Sequence, residues 1–274
     1  MFKIFKDNLI AIIGWISALG TIITIIFPDA IKLFIAGHNQ GYAIALLVIS
    51  LIIAFMQSLP KDNISCKITN TTDITILYGD IFKTDGIIVI PVNEYFDTIV
   101  DKEIVSTNTL HGKLINEIFK NDKSNLQYQL HNGLKGIQSI TDTSRERGNK
   151  ARYPLGTVVK IEKDNIIYYL VALTRFNQTQ QAEITKDEYQ IVIIGLLNYI
   201  EKFAQGSVVN MPLIGSGEAG VDLPKQKILE FLLISMELMD KFTVSKGINI
   251  ILYKTSKNHI NLNRVENIYN TINN

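Results

Sequence analysis

Cysteine is all but missing from this chain: Cys66 stands alone among 274 residues, so no disulfide can close within it. Four histidines and one cysteine, scattered, do not make the close Cys/His spacings of a zinc site, and no metal is expected. Both absences suit a reducing compartment. A surplus of one charge is missing too. Lys plus Arg number 27 against 26 Asp plus Glu, a formal net of +1, and no run of lysine or arginine breaks the mixture. A nucleic-acid partner is therefore not favoured on electrostatic grounds. Beyond residue 60 the sequence also has no low-complexity tract and no internal repeat.

What it does have is a sharp division at Pro60. Before it lie two uncharged apolar runs, Leu9 to Phe27 and Gly41 to Leu59. At 1.5 Å rise per residue each nearly matches a hydrocarbon core of ~30 Å, so the expectation is a transmembrane helical hairpin over residues 1–60. A cleaved signal peptide and the buried helices of a water-soluble fold are the competing readings. The length of the first run and the presence of a second argue against the former, and apolar character all round argues against the latter. Lys3, Lys6, Lys61 and Lys67 outnumber Lys32 in the connection, which places both termini in the cytoplasm. In the first run Gly14, Ser17, Thr21 and Thr24 fall at spacings of three, four and three. They share one helical face, as small residues do where helices associate in lipid.

After Pro60 the pattern alternates between strands and helices. ITILYG (Ile74 to Gly79), GIIVIPV (Gly86 to Val92), SVVNMPLI (Ser207 to Ile214) and GINIILY (Gly247 to Tyr253) read as short, largely buried strands. Thr109 to Lys120, Lys186 to Ala204 and Pro224 to Phe242 read as helices. The second opens on a capping box of Thr185 and Glu188, and the third has proline in its first turn. TVVKIEKDNIIYYLVALT (Thr157 to Thr174) reads as a hairpin turning at Asp164 and Asn165. The order predicts an α/β domain with a mixed sheet and right-handed crossovers over residues 61–256. The tail, 257–274, has the length for one more helix.

Two segments carry candidate chemistry, each just past the carboxyl end of an apolar strand, where open α/β sheets bind ligands. In NMPLIGSGEAG (Asn210 to Gly220) the glycines let the main chain approach a ligand and aim successive N–H groups at one spot, as an anion such as a pyrophosphate requires. The plainer reading is a glycine-rich turn. The other segment is YGDIFKTDGIIVIPVN, Tyr78 to Asn93.

In this order and on these strand ends the two motifs resemble the macro domain, an ADP-ribose-binding α/β/α fold, over most of Ile64 to Lys254. The resemblance implies that Asp80 accepts a hydrogen bond from the adenine amino group, with Ile81 presenting main chain beside it, and that Asn93 faces the distal ribose; the plainer readings are a turn aspartate capping its own loop and a strand-end turn residue. It likewise implies that Gly215, Ser216, Gly217, Glu218, Ala219 and Gly220 cradle the diphosphate; Tyr253, at the end of the last strand, is placed either to stack on adenine or to pack in the core. One departure matters. Where hydrolases of this family place an acid, STNTLHG (Ser106 to Gly112) has one glycine and no carboxylate. Glu103 and His111 remain as bases, His111 reads better as a ligand contact, and no catalytic residue is assigned. A reader of a nucleotide signal fits better than an eraser, the alternative being a membrane-tethered ADP-ribosyl hydrolase. Glu94, Asp97 and Glu218 are expected to meet a positively charged substituent on the ligand, unless they are solvated surface acids. Arg145, Arg147, Arg152 and Arg175 read as solvated loop residues outside the site.

Two apolar runs joined to such a domain resemble the membrane-anchored macro effectors of type II Thoeris antiphage systems. That resemblance implies a TIR-domain partner that produces a histidine conjugate of ADP-ribose. It further implies a macro domain that binds the conjugate, and a membrane part that assembles as a homo-oligomer and compromises the bacterial inner membrane.

Overall fold

The computed structural model describes residues 2–26, 39–101, 103–177 and 181–272. Contacts divide the chain into two units, residues 1–61 with Leu262–Asn267, and Asp62–Asn261 with 268–274.

The first unit is helical. Helix α1 spans Phe2–Ile26 and α2 spans Asn39–Ser58, and the two lie against each other. Ser50 and Ala54, one turn apart on α2, are buried, while Trp15, Ile25, Ile44 and Met56 are exposed. Asn263 finishes the end of α2: its side-chain amide donates to the Leu59 carbonyl at 2.9 Å, and its oxygen accepts from the Lys61 N–H at 3.2 Å. Lys61 also pairs with Glu266. These bonds satisfy main-chain groups that a helix leaves unpaired at its exit.

Among the described residues no helix is long and apolar enough to cross a membrane, so the two-span hairpin is not found. The apolar stretch of α1 starts at Leu9, behind Lys3, Lys6 and Asp7, and is described as far as Ile26. Helix α2 is bounded by Asn39, Gln40, Gln57 and Ser58. Phe27 and Lys32 lie outside the described residues, as does the side chain of Thr24. Gly14, Ser17 and Thr21 are exposed, a side chain at Gly14 would meet nothing within 4 Å, and the Thr21 hydroxyl donates to the Ser17 carbonyl at 2.9 Å.

The second unit is α/β with a mixed sheet. Its strands are β1 (Asn63–Thr69), β2 (Thr72–Tyr78), β3 (Ile87–Asn93), β6 (Val158–Lys163), β7 (Ile166–Phe176), β9 (Val209–Pro212) and β10 (Ile248–Leu252), with three two-residue strands: β4 (Ile140–Thr141), β5 (Ala151–Arg152) and β8 (Ala182–Glu183). The order across the sheet is β1-β2-β10-β9-β3-β7-β6. Strands β2, β10, β9, β3 and β7 are parallel, and β1 and β6 close the edges antiparallel. The central β3 is buried on both faces because helices cover both. The helices are α3 (Leu110–Lys113), α4 (Lys123–Leu134), α5 (Lys186–Phe203) and α6 (Lys225–Glu237); α7 spans Leu262–Ile272.

Several expectations hold. The β6–β7 hairpin turns at Asp164 and Asn165, whose φ values of 51° and 64° belong to the tight turn that matches strand twist. Thr185 and Glu188 form the capping box of α5. Others fail. The helix expected over Thr109 to Lys120 is capped by Thr109 but breaks after one turn into a wider π-type turn, Leu114–Ile118. Helix α6 ends at Glu237, short of Phe242, and Pro224 caps it instead of sitting in its first turn. Strand β1 and helix α4 were not anticipated.

Candidate ligand-binding site

Because β2, β10, β9 and β3 run parallel and adjacent, their carboxyl ends form one edge, and along it stand Asp80, Tyr253, the 213–221 loop and Asn93 in that order. An edge of this kind is where α/β sheets accept ligands.

Asp80 follows β2 and caps a 3-10 turn, Ile81–Lys83, its Oδ1 accepting from the Phe82 N–H at 3.1 Å. One carboxylate oxygen is thus engaged, and the side chain is exposed. Ile81 is buried and anchors the turn. Tyr253, directly after β10, is 57 % exposed and not part of the core. Lys113 of α3 donates to its hydroxyl at 3.1 Å and lies 5.6 Å from its ring centre. That hydrogen bond, helped by the charges of Glu117 and Asp80, raises the Lys113 pKa. Lys113 therefore joins the Asp80–Tyr253 end of the edge, and nothing in the local sequence marked it.

The loop after β9 is built on its own main chain. Ser216 N–H donates to Leu213 O at 3.2 Å, Gly220 N–H to Gly217 O at 3.0 Å, and Val221 N–H to Gly215 O at 3.0 Å. Gly215 has φ +80°, and a Cβ there would lie 2.6 Å from the ring of Tyr189. Tyr189, buried on α5, props the loop from below by donating its hydroxyl to Ile214 O at 2.9 Å. Gly220 faces the tightest approach, since a Cβ would stand 2.0 Å from Gly215 O. The N–H groups of Gly217, Glu218 and Ala219 donate to no acceptor among the described residues, which leaves three neighbouring donors to offer an anion. The Glu218 side chain is exposed.

Asn93 ends β3, buried to 5 % exposure. Its Oδ1 accepts from Tyr95 N–H at 3.1 Å and Asp97 N–H at 3.3 Å. With the oxygen so occupied, the group Asn93 has left to present is the Nδ2 donor.

The acids beyond it depart from the sequence reading. Asp97 is fully buried in a two-pronged ion pair with Arg145, at 3.1 and 2.7 Å. Glu94 is buried, accepts from Phe176 N–H at 3.2 Å and lies 3.8 Å from Arg152. Burial raises its pKa while the Phe176 N–H and Arg152 pull it down. Neither is a solvated surface acid, and Asp97 has no oxygen to spare for a ligand cation. Arg145, conversely, is only 4 % exposed instead of solvated. Removing one partner of such a buried pair costs about 3–5 kcal/mol.

The base candidates are also accounted for. His111 is buried and lines a closed space with Val92, Phe96, Asp97, Leu114 and Leu170, beside the turn that follows Asn93. Burial lowers its pKa to about 4, against a hydrogen bond to the Asp97 main chain that acts the other way. Glu103 pairs with Arg147, which also holds Asp101 at 2.7 Å. Arg175 pairs with Glu183 and Glu188. Among the described residues no cluster of His, Cys, Asp and Glu could hold a metal.

Residues 74–253 match the family described as Thoeris protein ThsA, Macro domain. The chain is 28 % identical over 231 residues to Thoeris protein ThsA of Bacillus amyloliquefaciens strain Y2, covering 81 % of this chain and 76 % of that protein. In fold it is similar to the Oceanobacillus iheyensis macrodomain with MES bound, at a TM-score of 0.53 and 14 % identity over 76 % of this chain and 98 % of the other. A glycine-to-valine variant of that macrodomain with ADPR gives a TM-score of 0.50 and 16 % identity over 75 % and 98 %. The chain belongs to the ThsA macro domain family of Thoeris proteins.

Proposed function

We propose that this chain is a non-catalytic antiphage effector whose α/β unit reads an ADP-ribose derivative. The observation that carries the reading is the edge itself: one exposed carboxylate (Asp80) beside an exposed aromatic (Tyr253), then three unpaired N–H groups, then a fixed amide donor (Asn93). In that order they suit a base, a diphosphate and a ribose. Against a hydrolase reading, His111 is buried and Glu103 lies in an exposed ion pair with Arg147. The ligand by family resemblance is histidine-ADP-ribose, the product of a TIR-domain partner.

The helical unit is the output element in this proposal, assembling with further copies at the bacterial inner membrane with both termini cytoplasmic. Supporting it are the apolar side chains exposed on α1 and α2 and the uncovered stripe of Gly14, Ser17 and Thr21. Ligand must then bind the assembled state more tightly than the resting one, since equal affinity shifts nothing.

Calorimetry of the full chain with ADP-ribose, its amino-acid conjugates and adenosine tests the reading. Expected is saturable binding of the first two and none of adenosine at matched concentration; heat from none of the three sinks it. For the output element, Gly14→Leu and Thr21→Leu should keep ligand binding and lose both ligand-dependent assembly and co-flotation with phosphatidylethanolamine/phosphatidylglycerol vesicles. Unchanged assembly and flotation in both variants would refute that part.

A further inference from the structure

From the loop 142–153 we infer that Arg145 is a positioning residue for the ligand site, acting through Asp97 to hold the Asn93 amide as a donor; this rests on the ADP-ribose reading above. The turn Asn93–Asp97 is unusual in needing a left-handed residue, Phe96 at φ 50°, that is not glycine. Something outside the turn must hold it there. The loop does so at each position after Asn93. Tyr153 N–H donates to Glu94 O at 3.0 Å. The Asn149 side chain donates to Tyr95 O and to Phe96 O, both at 3.0 Å, and its N–H donates to Asp97 Oδ1 at 2.7 Å. Arg145 completes the clamp with its two bonds to Asp97, a third to Asn149 O at 2.6 Å, and its guanidinium 3.9 Å from the Tyr95 ring centre and 5.1 Å from that of Phe176.

The consequence runs back to Asn93. Both N–H groups that occupy its Oδ1 belong to residues the clamp fixes, Tyr95 and Asp97. Release them and the carboxamide is free to turn over, presenting oxygen where the site now presents nitrogen. A planar, two-pronged cation laid against the Tyr95 ring, with Phe176 beside it, does this as lysine cannot, because an ammonium offers neither the fork nor the flat face. The charged run SRERGNK thus serves the site from behind, without touching ligand.

The test compares full-length wild type with Arg145→Lys and Asp97→Asn, using ADP-ribose and AMP as probes, AMP lacking the distal ribose. Arg147→Ala, which removes only exposed ion pairs, is the control. Expected for Arg145→Lys and Asp97→Asn is a loss of roughly fivefold to tenfold in ADP-ribose affinity with AMP affinity unchanged, the scale of one hydrogen bond. An equal loss for both probes, or for neither, overturns the inference while leaving the ligand reading intact. A second readout needs no ligand. In nitrogen–proton spectra of protein labelled on asparagine, the Asn93 amide pair should be sharp and dispersed in wild type and averaged in Arg145→Lys. An unshifted pair in that variant refutes the positioning role even if wild type binds no ADP-ribose.

Discussion

Substituting Gly220 by alanine should collapse the anion-facing loop while its neighbour Gly217 tolerates the same change. The added Cβ at 220 would lie 2.0 Å from Gly215 O and 2.8 Å from Gly217 O, inside the 3.0 Å that such contacts do not cross. Both oxygens are main-chain and both are acceptors of the loop's own bonds, from Val221 and Gly220. Clearing the clash therefore breaks about two hydrogen bonds at ~1 kcal/mol each. Residual overpacking adds about 1 kcal/mol, at the low end of its usual range because the loop is partly exposed. The sum, about 3 kcal/mol, corresponds to a fall of roughly 6–12 °C in Tm for a unit of this size. A Cβ on Gly217 would meet nothing within 4 Å, so Gly217→Ala should melt with wild type. Differential scanning fluorimetry with and without ADP-ribose measures both, and Gly220→Ala should also lose the ligand-induced rise. The reasoning fails if Gly220→Ala melts and binds as wild type, or if Gly217→Ala falls equally far.

Tyr189→Phe deletes the hydroxyl that props Ile214 and leaves a buried carbonyl unpaired, at about 1–3 kcal/mol. Calorimetry should show weaker ADP-ribose binding with an unchanged circular dichroism spectrum. Asp80→Asn keeps the cap on Phe82 but removes the charge, so Tm should hold while affinity for ADP-ribose falls; Asp80→Ala should lower both, the cap being worth about 1 kcal/mol. His111 has a folded pKa of about 4 against 6.5 for the free side chain. The unfolded chain therefore takes up a proton first. The stability that neutral His111 confers is complete above pH 6.5 and is lost as pH falls toward 4, about 3 kcal/mol in all. Urea titrations across that window should steepen for wild type relative to His111→Gln; parallel slopes would contradict the assignment.

What could be read in advance followed from local chemistry. Asp164–Asn165 can adopt positive φ, and Thr185 with Glu188 lies one turn apart, so hairpin and helix start were visible without tertiary knowledge. Strand β1 was visible in principle, since Ile64, Cys66 and Ile68 alternate inward. So was α4, where Leu126, Leu130 and Leu134 repeat every four residues. The site residues on strand ends were legible as motifs. Their supports were not: Arg145 meets Asp97 across 48 positions and Lys113 meets Tyr253 across 140. A charged side chain looks solvated until its partner is known, as Arg145 with Asp97 and Arg152 with Glu94 show. The two apolar runs were legible as helices, and among the described residues neither is long and apolar enough to cross a membrane.

The Asn263 cap on α2 has a consequence for biosynthesis. Leu59 and Lys61 leave the ribosome some two hundred residues ahead of the side chain that completes them, a separation of 204 and 202 positions. Until then the end of that helix is an exposed, unfinished terminus. A nascent chain halted before residue 262 should be nicked by protease near Leu59, and one that extends through α7 should not, so α7 seals the end of α2 only after some two hundred further residues have been made.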